Sequence, residues 1–312
     1  TSLDVSPEEL HTYGLDQLEA IDAERLAIAR ELGHADVAAL RAELAADPAN
    51  RTADPSELIR RAEEQIARAS AAAPRAFGRL PRAACVVRPV EPYMEPDSPG
   101  AFYIQPAPDG SRPGIYYLNT YRAEEHPLNR LAPTTFHEAV PGHHFQISIE
   151  TELDGLPPFR RLGSHLVSLS FAEGWGLYAE RLADELGLYL DPRERLGMLD
   201  QQAWRACRLI VDTGIHAFRW DRARSIELLE SAAALPRAEA EIETDRYIGW
   251  PGQALAYMTG QREIVSLRRL LEARDGDRFD LRAFHDAVLG HGTLTLATLR
   301  HQLPDWVAAR PA

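Results

Sequence analysis

Apolar side chains recur at helical spacing along most of the chain. In residues 7–33 an apolar side chain occurs every three or four positions. Ser6, whose hydroxyl can cap a helix, precedes this segment, and Gly33, which can end a helix, closes it. Residues 56–71 carry a second amphipathic pattern, and the segment from 164 to the C-terminus is almost continuously helical in pattern. The sequence therefore predicts a mainly helical protein.

The pattern changes between residues 84 and 120. Short runs rich in β-branched and aromatic residues occur at 85–87, 101–104 and 114–118, and turn-forming residues such as those at 108–111 separate them. We therefore expect a small antiparallel β-sheet, which makes the fold class α+β.

The residues that could carry chemistry are concentrated at 134–146. His137 and Glu138 are followed by His143 and His144, so three imidazoles and a carboxylate fall within eight positions. Neutral imidazole is the commonest protein ligand for zinc, and a Glu beside the first ligand His is where zinc peptidases keep the base that activates water. The regular motif has its second His four positions after the first, where this chain has a proline.

That proline and the glycine after it interrupt the helix. Pro141 has no N–H to donate to the carbonyl of His137, and Gly142 allows backbone angles that are closed to other residues. A break that removes two residues from the helical count would place His143 where the second ligand belongs, with His144 then facing the substrate or supporting a ligand through a hydrogen bond. His144 as the ligand is one alternative, and a helix that ends at Pro-Gly with its histidines on a frayed end is another.

A second motif supplies the candidate third ligand. Glu173 and Glu180 are seven positions apart, so on a helix they share one face. A catalytic zinc needs three protein ligands and an open position, and two His with one Glu is a known set. Gly174 and Gly176 weaken a helix and indicate close packing against a neighbour. The competing interpretation is an ordinary amphipathic helix with both carboxylates solvated.

The two motifs resemble those of a bacterial family catalogued as a domain of unknown function. Its hallmarks are His-Glu-x-x-Pro-Gly-His-x-x-Gln, present here at 137–146, and Glu-Gly-Trp-x-Leu-Tyr-x-Glu, present at 173–180. That family is grouped with zinc peptidases whose third ligand is a Glu, such as thimet oligopeptidase and the Taq-type carboxypeptidases. The resemblance extends over most of the chain. Members of the family are usually longer, so we expect a C-terminal portion of a longer protein or a processed form.

The resemblance implies a zincin-like metallopeptidase architecture with one Zn²⁺ ion. The implied ligands are His137, His143 and Glu173, with Glu138 as the general base. Residues expected to support the ligands from behind are Glu180, which could orient a ligand His, and Gln146.

Such a peptidase also needs groups that bind the substrate and the developing oxyanion. Tyr247 and His216 are the candidate oxyanion donors, and Arg246 or Arg262 could clamp a substrate carboxylate. In zinc peptidases an edge strand before the metal helix pairs with an extended peptide. Residues 115–119, with Tyr117 and Asn119 as substrate contacts, are the candidate for that strand, and a plain structural hairpin is the alternative.

Composition narrows the class of partner and the location. The chain has 312 residues and a net charge of −13, which argues against a nucleic-acid partner. No apolar run approaches 18 residues, so no membrane span is expected, and no signal peptide is visible. A cytoplasmic location is therefore favoured, with secretion or lipoprotein anchoring as the alternative if an N-terminal segment is missing.

No repeat, low-complexity tract or long linker divides the chain, so we expect a single catalytic domain over 1–312. Its expected parts are, in order, a helical part at 1–80, the sheet at 84–120, the metal-binding helices at 130–186 and a helical part at 190–312.

These features lead to three hypotheses. The first is a zinc-dependent hydrolase of short peptides that uses a metal-activated water and Glu138 as base. The second is a metal-dependent hydrolase of a non-peptide amide or ester, and the third is a non-catalytic, zincin-like binding module. None of them specifies an oligomeric state.

Overall fold

The computed structural model describes residues 1–162 and 168–308 and is mainly helical, as the sequence predicts. Its helices are α1 (Pro7–Glu31), α2 (Val37–Ala46), α3 (Pro55–Ala72), α4 (Leu131–Glu138), α5 (His143–Thr151), α6 (Pro158–Leu162), α7 (Leu169–Glu185), α8 (Pro192–His216), α9 (Arg222–Ala233), α10 (Arg237–Gly249), α11 (Ala256–Asp275), α12 (Leu281–Leu289) and α13 (Leu296–Ala308). Its strands are β1 (Cys85–Pro89), β2 (Ala101–Ile104) and β3 (Gly114–Leu118). Residues 163–167 and 309–312, which the sequence places in helical ranges, lie outside the described residues.

Local capping explains where the first helices begin and end. The Ser6 hydroxyl accepts a hydrogen bond from the backbone N–H of Glu9 at 3.1 Å, and Gly33 has a positive φ of 84° just after α1. The prediction for 7–33 is therefore confirmed to within two residues. The helix predicted at 56–71 is also confirmed, although Asp54, two positions before it, supplies the cap.

The three strands form a mixed sheet in which β3 is central, with the order β1-β3-β2. β1 runs parallel to β3, whereas β2 runs antiparallel to it with Ala101 opposite Leu118. The expected antiparallel sheet is thus wrong for one of the two pairings. A parallel pair needs a crossover connection, and the segment between β1 and β3, which contains β2, provides it.

The strand predicted at 115–119 is not an edge strand. Residues 115–118 lie in β3, which is hydrogen-bonded to a neighbour on each side. A strand with both edges paired cannot accept a further chain by backbone hydrogen bonding, so the proposed peptide-pairing role of this segment is wrong. β2 lies at the edge of the described sheet, so the edge-strand role that the sequence predicted for residues 115–119 fits β2 instead.

Helix α7 is the buried centre of the helical part. Trp175 and Tyr178 pack into a core shared with α3, the sheet and the C-terminal helices, and Leu177 packs into a second core with α1 and α8. A Cβ added to Gly174 would lie 2.4 Å from Cα of Gly260 in α11, so α7 and α11 touch backbone to backbone. Close packing at this glycine is confirmed. None of the described helices combines the length and apolar character needed to span a membrane.

Candidate metal centre

The helix break expected at Pro141 and Gly142 is present. Helix α4 ends at Glu138 and α5 begins at His143, and a Cβ added to Gly142 would lie 1.8 Å from the carbonyl oxygen of His137. Only glycine allows the chain to turn this tightly against the last turn of α4. The turn brings the first residue of α5 back beside the end of α4.

Three side chains converge at this turn. Nε2 of His137 lies 3.4 Å from Oε2 of Glu173, and Nε2 of His143 lies 3.5 Å from the same oxygen. The two imidazole rings are 4.8 Å apart between centroids and nearly perpendicular, at 86°. Glu173 reaches the histidines from α7, so the group joins three helices.

Gly176, one turn after Glu173 on α7, makes room for the first imidazole. A Cβ added there would lie 2.7, 2.8 and 3.1 Å from Cε1, Nε2 and Nδ1 of His137. These separations are shorter than van der Waals contact, so a larger residue would displace the ring. The close packing predicted at Gly176 is therefore present, and the neighbour that Gly176 packs against is the candidate ligand His137.

A buried carboxylate orients His137 from behind. Nδ1 of His137 lies 2.8 Å from Oε1 of Glu180, and Gln202 donates from Nε2 to Oε2 of the same carboxylate at 3.0 Å. Glu180 is fully buried. A hydrogen bond from Nδ1–H fixes the ring so that Nε2 faces Glu173.

The charges of the cluster are strongly coupled. Burial alone would lower the pKa of His137, but its hydrogen bonds to Glu173 and Glu180 outweigh burial and raise it to about 9. Burial likewise opposes ionisation of Glu173, yet the hydrogen bonds from His137 and His143 hold its pKa well below the usual range. The cluster therefore favours a positive charge at the point where the three side chains meet.

The geometry fits a divalent cation such as zinc. Two ligand atoms bound tetrahedrally at about 2.0–2.1 Å from zinc lie about 3.3–3.4 Å from each other. The two separations at Glu173 Oε2 are 3.4 and 3.5 Å, and the ligand atoms of all three residues lie within 4.8 Å of one another. In the described part of the chain, Nδ1 of His143 is buried without a hydrogen-bond partner, so no hydrogen bond at that atom holds the ring away from an ion.

The cluster lies in a cleft of about 1330 Å³ whose lining includes His137, His143, Glu173 and the candidate base Glu138. Tyr257 of α11, which the sequence analysis did not single out, also lines this cleft. Its ring is 6.3 Å from that of His137 between centroids, at an angle of 25°. Burial raises the pKa of Tyr257, so its hydroxyl keeps its proton at neutral pH.

The edge strand β2 forms part of the same cleft. Ala101, Phe102 and Tyr103 line it, and β2 contacts α4, the helix that carries His137. Asn119 lines the cleft as well, but its amide donates to the carbonyls of Glu95 and Ser98. Asn119 is therefore engaged in holding the preceding loop.

Tyr117 does not line the cleft. Its ring stacks on Phe102 of β2 at 5.0 Å between centroids. Successive side chains of a strand point to opposite faces, so Tyr117 and Tyr116 cannot both face inward, and the buried one is Tyr116. The expected substrate contact at Tyr117 is corrected to a cross-strand packing contact.

The two expected oxyanion donors lie elsewhere. Tyr247 is buried, donates to Glu243 at 2.5 Å and accepts from Arg208 at 2.9 Å. His216 is exposed at the end of α8, with Nε2 3.0 Å from the carbonyl of Tyr247. Neither lines the cleft. Both assignments are therefore corrected, because these groups serve local hydrogen bonds between α8 and α10.

The two expected carboxylate clamps are also engaged. Arg246 lines the cleft, but Nε and Nη2 bind Glu243 at 3.0 and 2.8 Å. Arg262 lies outside the cleft lining, pairs with Glu9 at 2.5 Å and stacks over Tyr13. Arg262 is thus a surface contact between α11 and α1.

His144 points away from the candidate metal centre. Its Nε2 lies 3.1 Å from the carbonyl of Ala83 and its Nδ1 lies 2.9 Å from the hydroxyl of Tyr103. Burial lowers the pKa of His144 to about 4, which keeps the ring neutral. His144 does not line the cleft, because consecutive residues of a helix point about 100° apart and His143 takes the side that faces it. Its expected role toward the substrate or the ligands is therefore corrected to a buried contact with Ala83 and Tyr103.

Gln146 does not support the candidate ligands either. Its amide donates to Glu150 at 3.1 Å and to Thr293 at 2.7 Å. This network joins α5 to the loop before α13. The expected position behind the ligands is therefore corrected to a buried interhelical contact.

Sequence reasoning also missed the aromatic and cationic wall of the cleft. Trp204, Arg205 and Arg208 on α8 line it together with Tyr257. The only signal in the sequence was arginine placed among apolar residues of a long helix, which is also typical of surface positions. The proximity of this wall to the metal centre depends on the packing of α8 against α7 and α11.

Residues 1–303 match the protein family described as "Bacterial protein of unknown function (DUF885)". Among curated proteins, none matches the chain.

Solved structures that are similar to the chain include those of two putative lipoproteins. A putative lipoprotein from Colwellia psychrerythraea has a TM-score of 0.93 at 35% sequence identity, over 99% of this chain and 53% of that one. A putative lipoprotein of unknown function from Shewanella oneidensis has a TM-score of 0.80 at 22% identity, over 96% of this chain and 57% of that one, and this likeness shows the fold alone. The chain spans little more than half the length of these proteins. Neither comparison supports the expected cytoplasmic location.

Proposed function

The chain belongs to the DUF885 family of bacterial proteins of unknown function, and we propose that it is a zinc-dependent hydrolase that cleaves short peptides. The observation that carries this proposal is the approach of His137, His143 and Glu173, whose ligand atoms lie within 4.8 Å of one another inside a cleft. Two imidazoles and one carboxylate leave a fourth position open, as in catalytic zinc sites.

His137, His143 and Glu173 would hold the ion, and Glu180 would keep His137 in its binding orientation. Bound zinc would supply a Lewis acid and lower the pKa of a water molecule to about 7. Glu138 would accept the proton of that water and pass it to the leaving amine. This division of labour resembles that of zincin-like peptidases whose third ligand is a Glu.

Tyr257 is the proposed donor to the oxyanion that forms on the scissile carbonyl. Its ring is 6.3 Å from that of His137 between centroids, and burial keeps its hydroxyl protonated. A neutral hydroxyl in the same cleft can donate a hydrogen bond where negative charge develops. Tyr257 thus takes the role that the sequence analysis gave to Tyr247 or His216.

The edge strand favours a peptide over another amide or ester. β2 borders the cleft and contacts α4, and its outer edge has no strand partner among residues 1–162 and 168–308. An extended peptide could add to that edge through backbone hydrogen bonds, which a small ester could not do.

The likeness to a putative lipoprotein at 35% identity favours a secreted or lipid-anchored protein over a cytoplasmic one. Fractionation of cells that express the complete natural protein would test this. Recovery with the cytoplasmic fraction would contradict it.

Two measurements test the proposed activity. Elemental analysis of the purified protein should find about one zinc per chain, and added zinc should raise the thermal stability of chelator-treated protein. Incubation with a mixed peptide library should then give cleavage products detectable by mass spectrometry. Zinc binding with no peptide cleavage would favour an amide or ester substrate, whereas absence of zinc binding would favour a non-catalytic binding module.

A further inference from the structure

Arg205 is a cation of the cleft wall that has no carboxylate partner among the described residues. Its Nε atom is buried and finds no hydrogen-bond partner in the same part of the chain, and Nη1 makes a long contact of 3.4 Å to the carbonyl of Gln201. Within residues 1–162 and 168–308, it takes part in none of the ion pairs. An unpaired charge in a partly buried side chain is costly unless something else in the functioning protein compensates it.

Other arginines of the same wall are different. Arg208, one turn along α8, binds Glu243 at 3.1 Å, and Arg246 binds the same carboxylate at 2.8 Å. These two cations therefore stabilise the wall by pairing within the chain. Arg205 is held in place instead by the rings of Trp204 and Tyr257, at 4.8 and 5.7 Å from the centroids.

Arg205 lies close to the candidate reaction centre. Its guanidinium is 5.7 Å from the Tyr257 ring, which is in turn 6.3 Å from the ring of His137. An extended peptide advances about 3.3–3.6 Å per residue. A group bound at Arg205 would therefore be only a few residues from a carbonyl held at the metal centre.

We propose that Arg205 binds a carboxylate group of the substrate, within a few residues of the bond that is cleaved. The inference rests on the proposed function only in placing that bond at the metal centre. The planar guanidinium can donate two parallel hydrogen bonds to a carboxylate. The carboxylate could be the C-terminus of a peptide or the side chain of an Asp or Glu within it.

The surrounding charges support an anionic ligand. Burial lowers the pKa of the Arg205 guanidinium, the charge of Arg208 lowers it further, and the charges of Glu180 and Glu173 offset this only in part. A divalent metal ion bound to Glu173 would neutralise its negative charge, so less negative charge would remain near the Arg205 guanidinium. An anion that enters the cleft would supply that missing negative charge.

Calorimetric binding of matched peptides tests this inference without turnover. One acetylated hexapeptide is used in three forms: the free C-terminal acid, the C-terminal amide, and the amide with an internal Glu. Each is titrated into zinc-loaded Glu138→Gln protein and into metal-free wild-type protein. The unmodified chain thus provides the comparison of acid with amide even if an Arg205 variant does not fold.

We expect amidation to weaken binding by about 10- to 100-fold, as for the loss of a charge-assisted hydrogen bond. Arg205→Met should abolish the preference for the acid, and Arg205→Lys should retain part of it. Arg122→Met is the matched control, because Arg122 lines the same cleft with a side chain that is 57% exposed. It should keep the full preference.

Recovery of tight binding by the internal Glu would identify an acidic side chain as the carboxylate, and its absence would identify the C-terminus. Equal affinity for acid and amide in wild-type protein would overturn the inference. So would an acid preference that survives Arg205→Met. A protein that prefers the acid through Arg205 but never cleaves peptides would refute the proposed function and leave the carboxylate site standing.

Discussion

Oε1 of Glu180 lies 2.8 Å from Nδ1 of His137, and both side chains are buried. The other carboxylate oxygen is held by Gln202 at 3.0 Å, so the carboxylate itself cannot rotate freely. This contact leaves one orientation for the imidazole, with Nε2 turned toward Glu173.

Glu180→Gln should weaken zinc binding by about 10- to 100-fold, because the amide holds the ligand ring less firmly and makes it less basic. Competition with a chromophoric chelator would measure the change. Glu185→Gln is the control, since Glu185 ends the same helix with an exposed side chain paired to Arg268. Equal zinc affinities for the two variants would show that Glu180 does not orient the ligand.

Glu138→Gln should leave zinc bound and lower peptide turnover by about a hundredfold to ten-thousandfold, the usual contribution of a general base. Metal content and the rate of product formation would be measured on the same preparation. Glu125→Gln, at an exposed position of the same cleft, should keep its activity. A Glu138→Gln protein with the wild-type rate would exclude Glu138 as the base.

Gly176→Ala should weaken zinc binding and lower the free energy of unfolding, because its Cβ would lie 2.7–3.1 Å from three atoms of the His137 ring. Helix propensity alone would favour Ala over Gly by about 1 kcal/mol, so a loss has to come from the contact with the ring. Gly249→Ala is the matched control, since an added Cβ there meets no atom within 4 Å. If both substitutions are equally tolerated, Gly176 does not set the position of His137.

His143→Ala and His144→Ala should have opposite effects. His143→Ala should lose stoichiometric zinc and keep most of its stability, since its ring lies at the cleft. His144→Ala should retain zinc but lower the free energy of unfolding by about 2–4 kcal/mol, because it strips partners from the carbonyl of Ala83 and the hydroxyl of Tyr103. Loss of zinc in the His144 variant alone would reverse the ligand assignment.

Two buried neutral histidines should make the metal-free protein sensitive to acid. Burial lowers the pKa of His144 to about 4 and that of His285 to about 3. Both rings bind protons more readily when unfolded, so the stability they contribute is present above the unfolded pKa of about 6.5 and is lost as pH falls toward the folded values. The slope should approach about 1.4 kcal/mol per pH unit for each group.

Urea denaturation between about pH 5 and 7 would measure this slope in the presence of a chelator. His285→Gln should make it shallower by about one proton, because His285 is fully buried between Ala76 and Tyr178. His301→Gln, which removes an exposed imidazole, should leave the slope unchanged. A His285→Gln slope equal to that of the wild type would show that this ring is not the acid-sensitive group.

Features that depend on neighbours in the chain could be predicted from the sequence. Ser6 and Gly33 bound the first helix because capping needs only the residues of one turn. The interruption at Pro141 and Gly142 follows from a missing N–H and a missing Cβ, and it predicts His143 rather than His144 beside His137. The residue types at 137, 143 and 173 were enough to propose a metal site.

Features that join distant segments depended on how the helices and strands pack. Tyr257 and Arg205 were overlooked, while Tyr247 and Arg262 were named, because the residue type does not reveal which face of a helix borders the cleft. The pairing of β3 with both neighbours likewise reflects a crossover that local β propensity cannot specify. The amino-acid sequence thus identifies the candidate ligands and the bend between His137 and His143. The packing of α7, α8 and α11 decides the rest: it forms the cleft wall, places Glu180 behind His137 and leaves Arg205 without an ion-pair partner among the described residues. The sequence alone does not show these features, because they depend on contacts between segments that are far apart along the chain.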